Sequence, residues 1–138
     1  MINLGFIRMI TNKKKRCICI VEDDDVVRLI VKDYLQMAGF DIYEFDNPID
    51  AIAAIKKSPC EIAIVDINMP EMSGETFMQK ARQVCGSIQF IIHTGAIDYK
   101  VPSSLKDLGI SQENVLVKPI EDMNEFQTVI KRLLHPNK

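Results

Sequence analysis

No apolar run in this 138-residue chain approaches the ~20 residues a membrane-crossing helix needs. No excess charge of one sign is present either. Seventeen Lys and Arg stand against nineteen Asp and Glu, for a net charge of -2. No field therefore draws the whole protein to nucleic acid or acidic lipid, and neither is expected as a partner of the chain by itself. The four cysteines, Cys17, Cys19, Cys60 and Cys85, contain no C-x-x-C pair, which removes the usual spacing of a zinc or redox site. They are expected to be buried free thiols, as suits a reducing, cytoplasmic location. There is no Walker A loop and no G-x-G-x-x-G, so nucleotide binding is not indicated. The opening Met1 to Ile7 is short and broken, and its basic residues follow rather than precede it, unlike a secretion signal.

What is present is enough for one globular domain. Apolar residues make up 47% and charged residues 26%, values of a chain that can bury a core. Residues 1–16 end in Lys13-Lys14-Lys15-Arg16 and are expected to form a flexible, solvated extension. A contact arm and an alternative start at Met9 are the competing readings. Residues 17–138 carry the fold.

From Cys17 onward, short apolar runs alternate with helix-period segments. Strands are expected at Cys17 to Val21, Asp41 to Asp46, Glu61 to Val65, Gln89 to His93 and Val115 to Val117. The second mixes polar and apolar residues, as an edge strand does. The third is apolar on both faces, as a central parallel strand is. Asp24 or Asp25 can cap a first helix whose stripe is Val27, Ile30, Val31, Tyr34, Leu35 and Ala38, with Gly39 as its stop. Asn47-Pro48 opens a second helix through Ile55. A third carries Phe77, Met78, Ala81 and Val84, and a last one Met123 to Leu134. Between Ala96 and Asn114 only Ser103 to Leu108 reads as helical. Five βα units in a row define an α/β fold with a parallel sheet and helices on both faces.

Four polar signals terminate apolar runs: Glu22-Asp23, Asp66, Thr94 and Lys118. In a parallel sheet these ends meet in one cleft outside the strands' carboxyl termini. Taken singly each is ordinary; Glu22 to Asp25, for example, suit a helix N-terminus. Together they point to chemistry. Three carboxylates crowded in one cleft repel one another unless a cation sits among them. Their hard oxygens, with no thiolate or histidine beside them, favour Mg²⁺. Lys118 adds a positive charge opposite the metal, Thr94 a hydroxyl, and Gly95 an unobstructed N–H. That set fits phosphoryl transfer, with Asp66 as the nucleophile. His93 follows Phe90-Ile91-Ile92 and reads as a packed strand residue.

The stretches Ile20-Val21-Glu22-Asp23-Asp24, Val65 to Gly74, Thr94-Gly95 and Val117-Lys118-Pro119 resemble, in order and spacing, the receiver domain of two-component response regulators, the CheY-like family. The resemblance covers about Cys17 to Leu134. It implies a doubly wound (βα)5 flavodoxin-like fold of strand order 2-1-3-4-5. It implies that Asp66 accepts a phosphoryl group from a histidine kinase or histidine phosphotransfer protein. Glu22 (through water), Asp23, Asp66 and the Asn68 backbone carbonyl would bind Mg²⁺, Thr94 and Lys118 would hold phosphoryl oxygens, and Lys118-Pro119 would be cis. The implied protein is a phosphoacceptor rather than a turnover enzyme.

Two departures bear on output. The position three before the lysine, usually aromatic in the family, is Val115, whose β-branched side chain cannot swing between buried and exposed states. The fourth-helix region is short and loop-rich. Ala96, two after Thr94, is small and leaves a path for attacking water. No DNA-binding or catalytic segment follows Leu134, so the expected output is contact with an unidentified protein target, with a homodimer left open. A fragment of a larger regulator fits as well. The alternatives are a haloacid-dehalogenase-like phosphohydrolase, whose general acid two residues after the nucleophile is here Asn68, and a receiver-like interaction module acting without phosphorylation.

Overall fold

Period-two alternation in the strands decides the architecture, because it sends successive side chains to opposite faces of one sheet. The computed structural model describes residues 16–135. Lys13 to Lys15 and Met9, named above, lie outside them. Five parallel strands, β1 (Cys17–Val21), β2 (Asp41–Phe45), β3 (Ile62–Val65), β4 (Gln89–Thr94) and β5 (Val115–Val117), are arranged β2-β1-β3-β4-β5. Helices α1 (Asp25–Met37) and α5 (Asn124–Leu134) cover one face, and α2 (Pro48–Lys57), α3 (Gly74–Val84) and the short α4 (Ser103–Lys106) the other.

Each face has its own core. Ile18, Ile20, Ile62, Ile64 and Ile91 pack against Val31 and Leu35 of α1 and Phe126, Ile130 and Leu133 of α5. Val21, Ala63, Val65, Phe90 and Ile92 pack against Ala51, Ile55, Phe77, Met78 and Leu105. Each fully buried aliphatic or aromatic side chain contributes about 1.5–3 kcal/mol relative to exposure. β3 is buried along its whole length and pairs with β1 and β4, while β2 is the half-exposed edge.

Asp24, Asn47 and Gly39 act as expected, and the structure adds Ser73 as a third cap. The Asp24 side chain accepts hydrogen bonds from the Val26 and Val27 N–H groups, Asn47 caps α2 ahead of Pro48, and Ser73 caps α3 through the Thr76 N–H. These satisfy N–H groups a helix leaves unpaired. Gly39 follows α1 at φ 99°, a conformation glycine adopts without strain. α4 is one turn, followed by a 3₁₀ turn at Gln112–Asn114 that leads into β5. Asn114 is buried there and donates to the Phe90 carbonyl, holding the turn to β4.

The cysteines correct the expectation of four free thiols. Cys19 and Cys85 are free and buried, but Cys17 and Cys60 form a disulfide, with Cα atoms 5.2 Å apart. β1 begins beside Cys60, two residues ahead of β3, a proximity the 43-residue separation hides. A link of that span constrains the unfolded chain, on the entropic account, by on the order of 2–4 kcal/mol. Reductant is therefore expected to lower the urea midpoint of the wild type. Cys17→Ser should lower it equally and abolish the response; equal midpoints with and without reductant in the wild type would show the link contributes nothing.

Candidate functional site

The strand ends bring the four signals together. Glu22 follows β1, Asp66 follows β3, Thr94 closes β4 and Lys118 follows β5. Backbone bonds continue the sheet into the site: Glu22 N–H donates to Phe45 O (3.0 Å), Asp66 N–H to Val21 O (3.1 Å) and Lys118 N–H to Thr94 O (2.7 Å). Glu22, Asp66 and Thr94 are buried, Asp23 is exposed, and one carboxylate oxygen from each of Glu22, Asp23 and Asp66 lies within 4.8 Å of the others. The Lys118 ammonium is 2.6 Å from Glu22 Oε1 and 3.7 Å from Asp66 Oδ1. Asn68 is exposed, and its N–H donates to Asp66 Oδ1 at 3.2 Å. The Lys118-Pro119 peptide is cis.

One ammonium faces three carboxylates, and the electrostatics show the deficit. Burial pushes the Glu22 carboxyl up to about 7, Lys118 opposing and the Asp66 charge reinforcing the rise. Burial likewise raises Asp66 above the usual carboxylate range, against Lys118. Despite the short ion pair, Glu22 Oε1 accepts no well-directed hydrogen bond among the described residues. A cluster of hard oxygens from three carboxylates, offset by a single ammonium, fits a small divalent cation such as Mg²⁺.

His93 lies beneath this cluster. It is buried and edge-on to Phe126 at 5.1 Å, and its Nε2 has no hydrogen-bond partner among the described residues. It is packed in the strand, as its apolar flanks suggest. Burial, with Lys118 nearby, lowers its pKa to about 4 from 6.5.

His93 and Glu22 make opposite contributions to acid stability. As pH falls from 6.5 to 4, the unfolded chain takes a proton on His93 that the folded chain refuses, so the fold loses up to about 3 kcal/mol. As pH falls from 7 to 4.5, the fold takes a proton on Glu22 before the unfolded chain does, so it gains. The two offset each other in the wild type. With EDTA present, His93→Phe is expected to raise stability on acidification relative to the wild type, and Glu22→Gln to lower it. Urea melts from pH 7 to 4 measure this; parallel profiles in the two variants would refute it.

Sequence reading missed the residues that orient the site through backbone contacts. Arg28, on α1, donates to the Glu22 carbonyl at 2.7 Å and pairs with Asp25 and Glu44, fixing the turn that bears Glu22 and Asp23. Thr94 Oγ1 accepts from the Ala96 N–H (3.2 Å), and Tyr99 OH donates to Glu75 on α3 (2.9 Å). A side chain bonded to a backbone atom leaves no residue-type signature on its partner, so no pattern flags it.

Comparison with known proteins agrees with this fold. The response regulator receiver domain family matches residues 18–131, and the chain belongs to that family. It is 32% identical over 117 residues to the chemotaxis protein CheY of Bacillus subtilis, covering 84% of this chain and 96% of that one. It is 28% identical over 120 residues to the sensor kinase CckA of Brucella abortus, matching 85% of this chain but only 12% of the kinase. The fold superposes on the response regulator TrrA of Thermotoga maritima, solved in complex with Mg²⁺ and BeF, with a TM-score of 0.73 at 23% identity, covering 86% of this chain and 98% of that one. The chain is thus a receiver of two-component signalling, with an acidic cluster suited to Mg²⁺. No helix among the described residues is long and apolar enough to cross a membrane.

Proposed function

We propose that Asp66 is the phosphoryl acceptor of this receiver, taking the group from a phosphohistidine on a histidine kinase or histidine phosphotransfer protein. One observation carries the reading: Asp66 is the buried carboxylate at the carboxyl end of the central strand β3, grouped with Glu22 and Asp23 and with Lys118 3.7 Å away. An Asp66 carboxylate oxygen attacks phosphorus as the P–N bond to the donor imidazole breaks, and the imidazole leaves with a proton. Mg²⁺, when bound, supplies charge that offsets the phosphoryl oxygens and the carboxylates. Glu22 (through water), Asp23, Asp66 and the Asn68 backbone carbonyl would hold it. Lys118, already between Glu22 and Asp66, turns its ammonium to a phosphoryl oxygen, and the Thr94 hydroxyl donates to another. The Asn68 N–H holds Asp66 Oδ1, leaving the second oxygen to react. The domain assists transfer onto itself and off again by water, and works by altering contacts with a downstream protein rather than by turning over a substrate.

The complex of TrrA with Mg²⁺ and BeF supports the metal assignment by similarity of fold. The test is incubation with Mg²⁺ and acetyl phosphate or phosphoramidate. Intact mass should show a single added phosphoryl group, absent with EDTA and removed by neutral hydroxylamine, as for an acyl phosphate. No added mass, or steady release of phosphate from varied phosphomonoesters without a stable adduct, would reject the reading.

A further inference from the structure

Val115 leaves this receiver without a swinging aromatic on β5. It is half-buried beside Ile92 of β4, and its short β-branched side chain cannot swing between buried and exposed positions as a long aromatic can. A different tyrosine is wired to the site. Thr94 Oγ1 accepts from the Ala96 N–H at 3.2 Å, Tyr99 N–H donates to the Ala96 carbonyl at 3.2 Å, and Tyr99 OH donates to Glu75 Oε2 at 2.9 Å. Glu75 adjoins Gly74, whose N–H is bonded to Ile67 O, next to Asp66. The chain of contacts thus runs from Thr94 through Ala96, Tyr99 and Glu75 back to the loop bearing Asp66.

Resting on the phosphoacceptor reading above, we propose that Tyr99 is the positioning residue through which the state of Asp66 reaches the surface, in place of the aromatic that β5 lacks. A phosphoryl oxygen on Asp66 draws the Thr94 hydroxyl, whose bond from Ala96 is at the long end of the N–H···O range and yields first. Release of Ala96 frees the turn closed by Tyr99 N–H. Tyr99 then moves relative to Glu75 and α3. Two further bonds hold the far side of the turn: Gln112 Nε2 donates to Tyr99 O (2.7 Å), and Val101 N–H donates to Gln112 Oε1 (3.2 Å). They confine the motion to residues 95–99. Ile97, 86% exposed, rides on that turn, so displacement of Tyr99 repositions an apolar side chain at the surface. The phenol keeps its proton for Glu75, since burial and the Glu75 carboxylate both raise its pKa.

The three tyrosines, Tyr34, Tyr43 and Tyr99, make the test direct. The protein is labelled with 3-fluorotyrosine, and its ¹⁹F resonances are assigned with Tyr34→Phe and Tyr43→Phe, which leave Tyr99 by elimination. Mg²⁺ and beryllofluoride are then added. Fluoride bound to beryllium at Asp66 gives its own ¹⁹F signals, an independent measure of occupancy. With those signals present, the Tyr99 resonance is expected to shift more than those of Tyr34 and Tyr43. In Thr94→Val, at beryllofluoride concentrations that give the bound signals, the Tyr99 response should be lost. Bound beryllofluoride with an unmoved Tyr99, or an undiminished Tyr99 shift in Thr94→Val, overturns the route through Thr94. Absence of bound signals in the wild type rejects the phosphoacceptor reading itself.

Discussion

Asparagine in place of Asp66 is expected to abolish phosphoryl incorporation while leaving the fold intact or slightly more stable. The amide has no anionic oxygen to attack phosphorus and contributes no charge to a cation, so the loss should be complete rather than graded. The stability side follows from the environment. Burial raises the Asp66 carboxyl above its usual range, so at neutral pH its ionised form costs the fold energy that a neutral amide does not. The amide oxygen can still accept from the Asn68 N–H as Asp66 does. Without metal, Glu22 retains Lys118 at 2.6 Å and loses a neighbouring negative charge. Intact mass after treatment with a phosphodonor, together with urea melts in EDTA, checks both halves. Incorporation surviving in the variant would place the acceptor elsewhere. Loss of incorporation together with a collapsed melt would mean that Asp66 is structural first.

Alanine in place of Gly74 is expected to cost roughly 4–5 kcal/mol, or roughly 15 °C of melting temperature. A Cβ there would overlap the Asp66 backbone carbonyl and come within 2.9 Å of the Ile67 Cα. Overpacking against movable side chains already costs about 1–3 kcal/mol; here the obstacle is the backbone that carries the acceptor. Any relaxation would stretch the Gly74 N–H to Ile67 O bond of 2.9 Å and shift Asp66 against Glu22 and Asp23. Mg²⁺ affinity should therefore fall along with stability. Gly86→Ala is the control, because a Cβ there meets nothing within 4 Å and its melt should be close to wild type. Thermal melts and a Mg²⁺ titration followed by NMR measure the outcome. A Gly74→Ala protein with wild-type melting and metal binding would show that the loop relaxes freely and that the close approach has no role.

The strand-end residues were legible because two periodicities coincide there. Ile62 to Val65 reads as buried on both faces, and the charge at Asp66 breaks the run at the sheet's carboxyl edge, where βα folds gather their sites. The caps Asp24 and Asn47 were accessible for a similar reason, since their bonds reach only two or three residues ahead. Contacts without a local rule were not accessible. The pairing of Cys17 with Cys60 depends on β1 lying beside β3 in register, which spacing along the chain does not reveal. Thr94 had been placed just past its strand, whereas β4 runs through it.

The sequence by itself determined the order of elements, the two-faced burial of the central strands and the identity of the acidic, hydroxyl and basic groups at their ends, because each depends on residue type at short spacing. Only the tertiary structure decided how those groups meet. It set Lys118 against Glu22 more closely than against Asp66, left Glu22 Oε1 without a directed partner, and joined Thr94 to Tyr99 and Glu75 through one turn. Those relations depend on the stacking of strands far apart in the chain, and on bonds to backbone atoms that every residue carries alike.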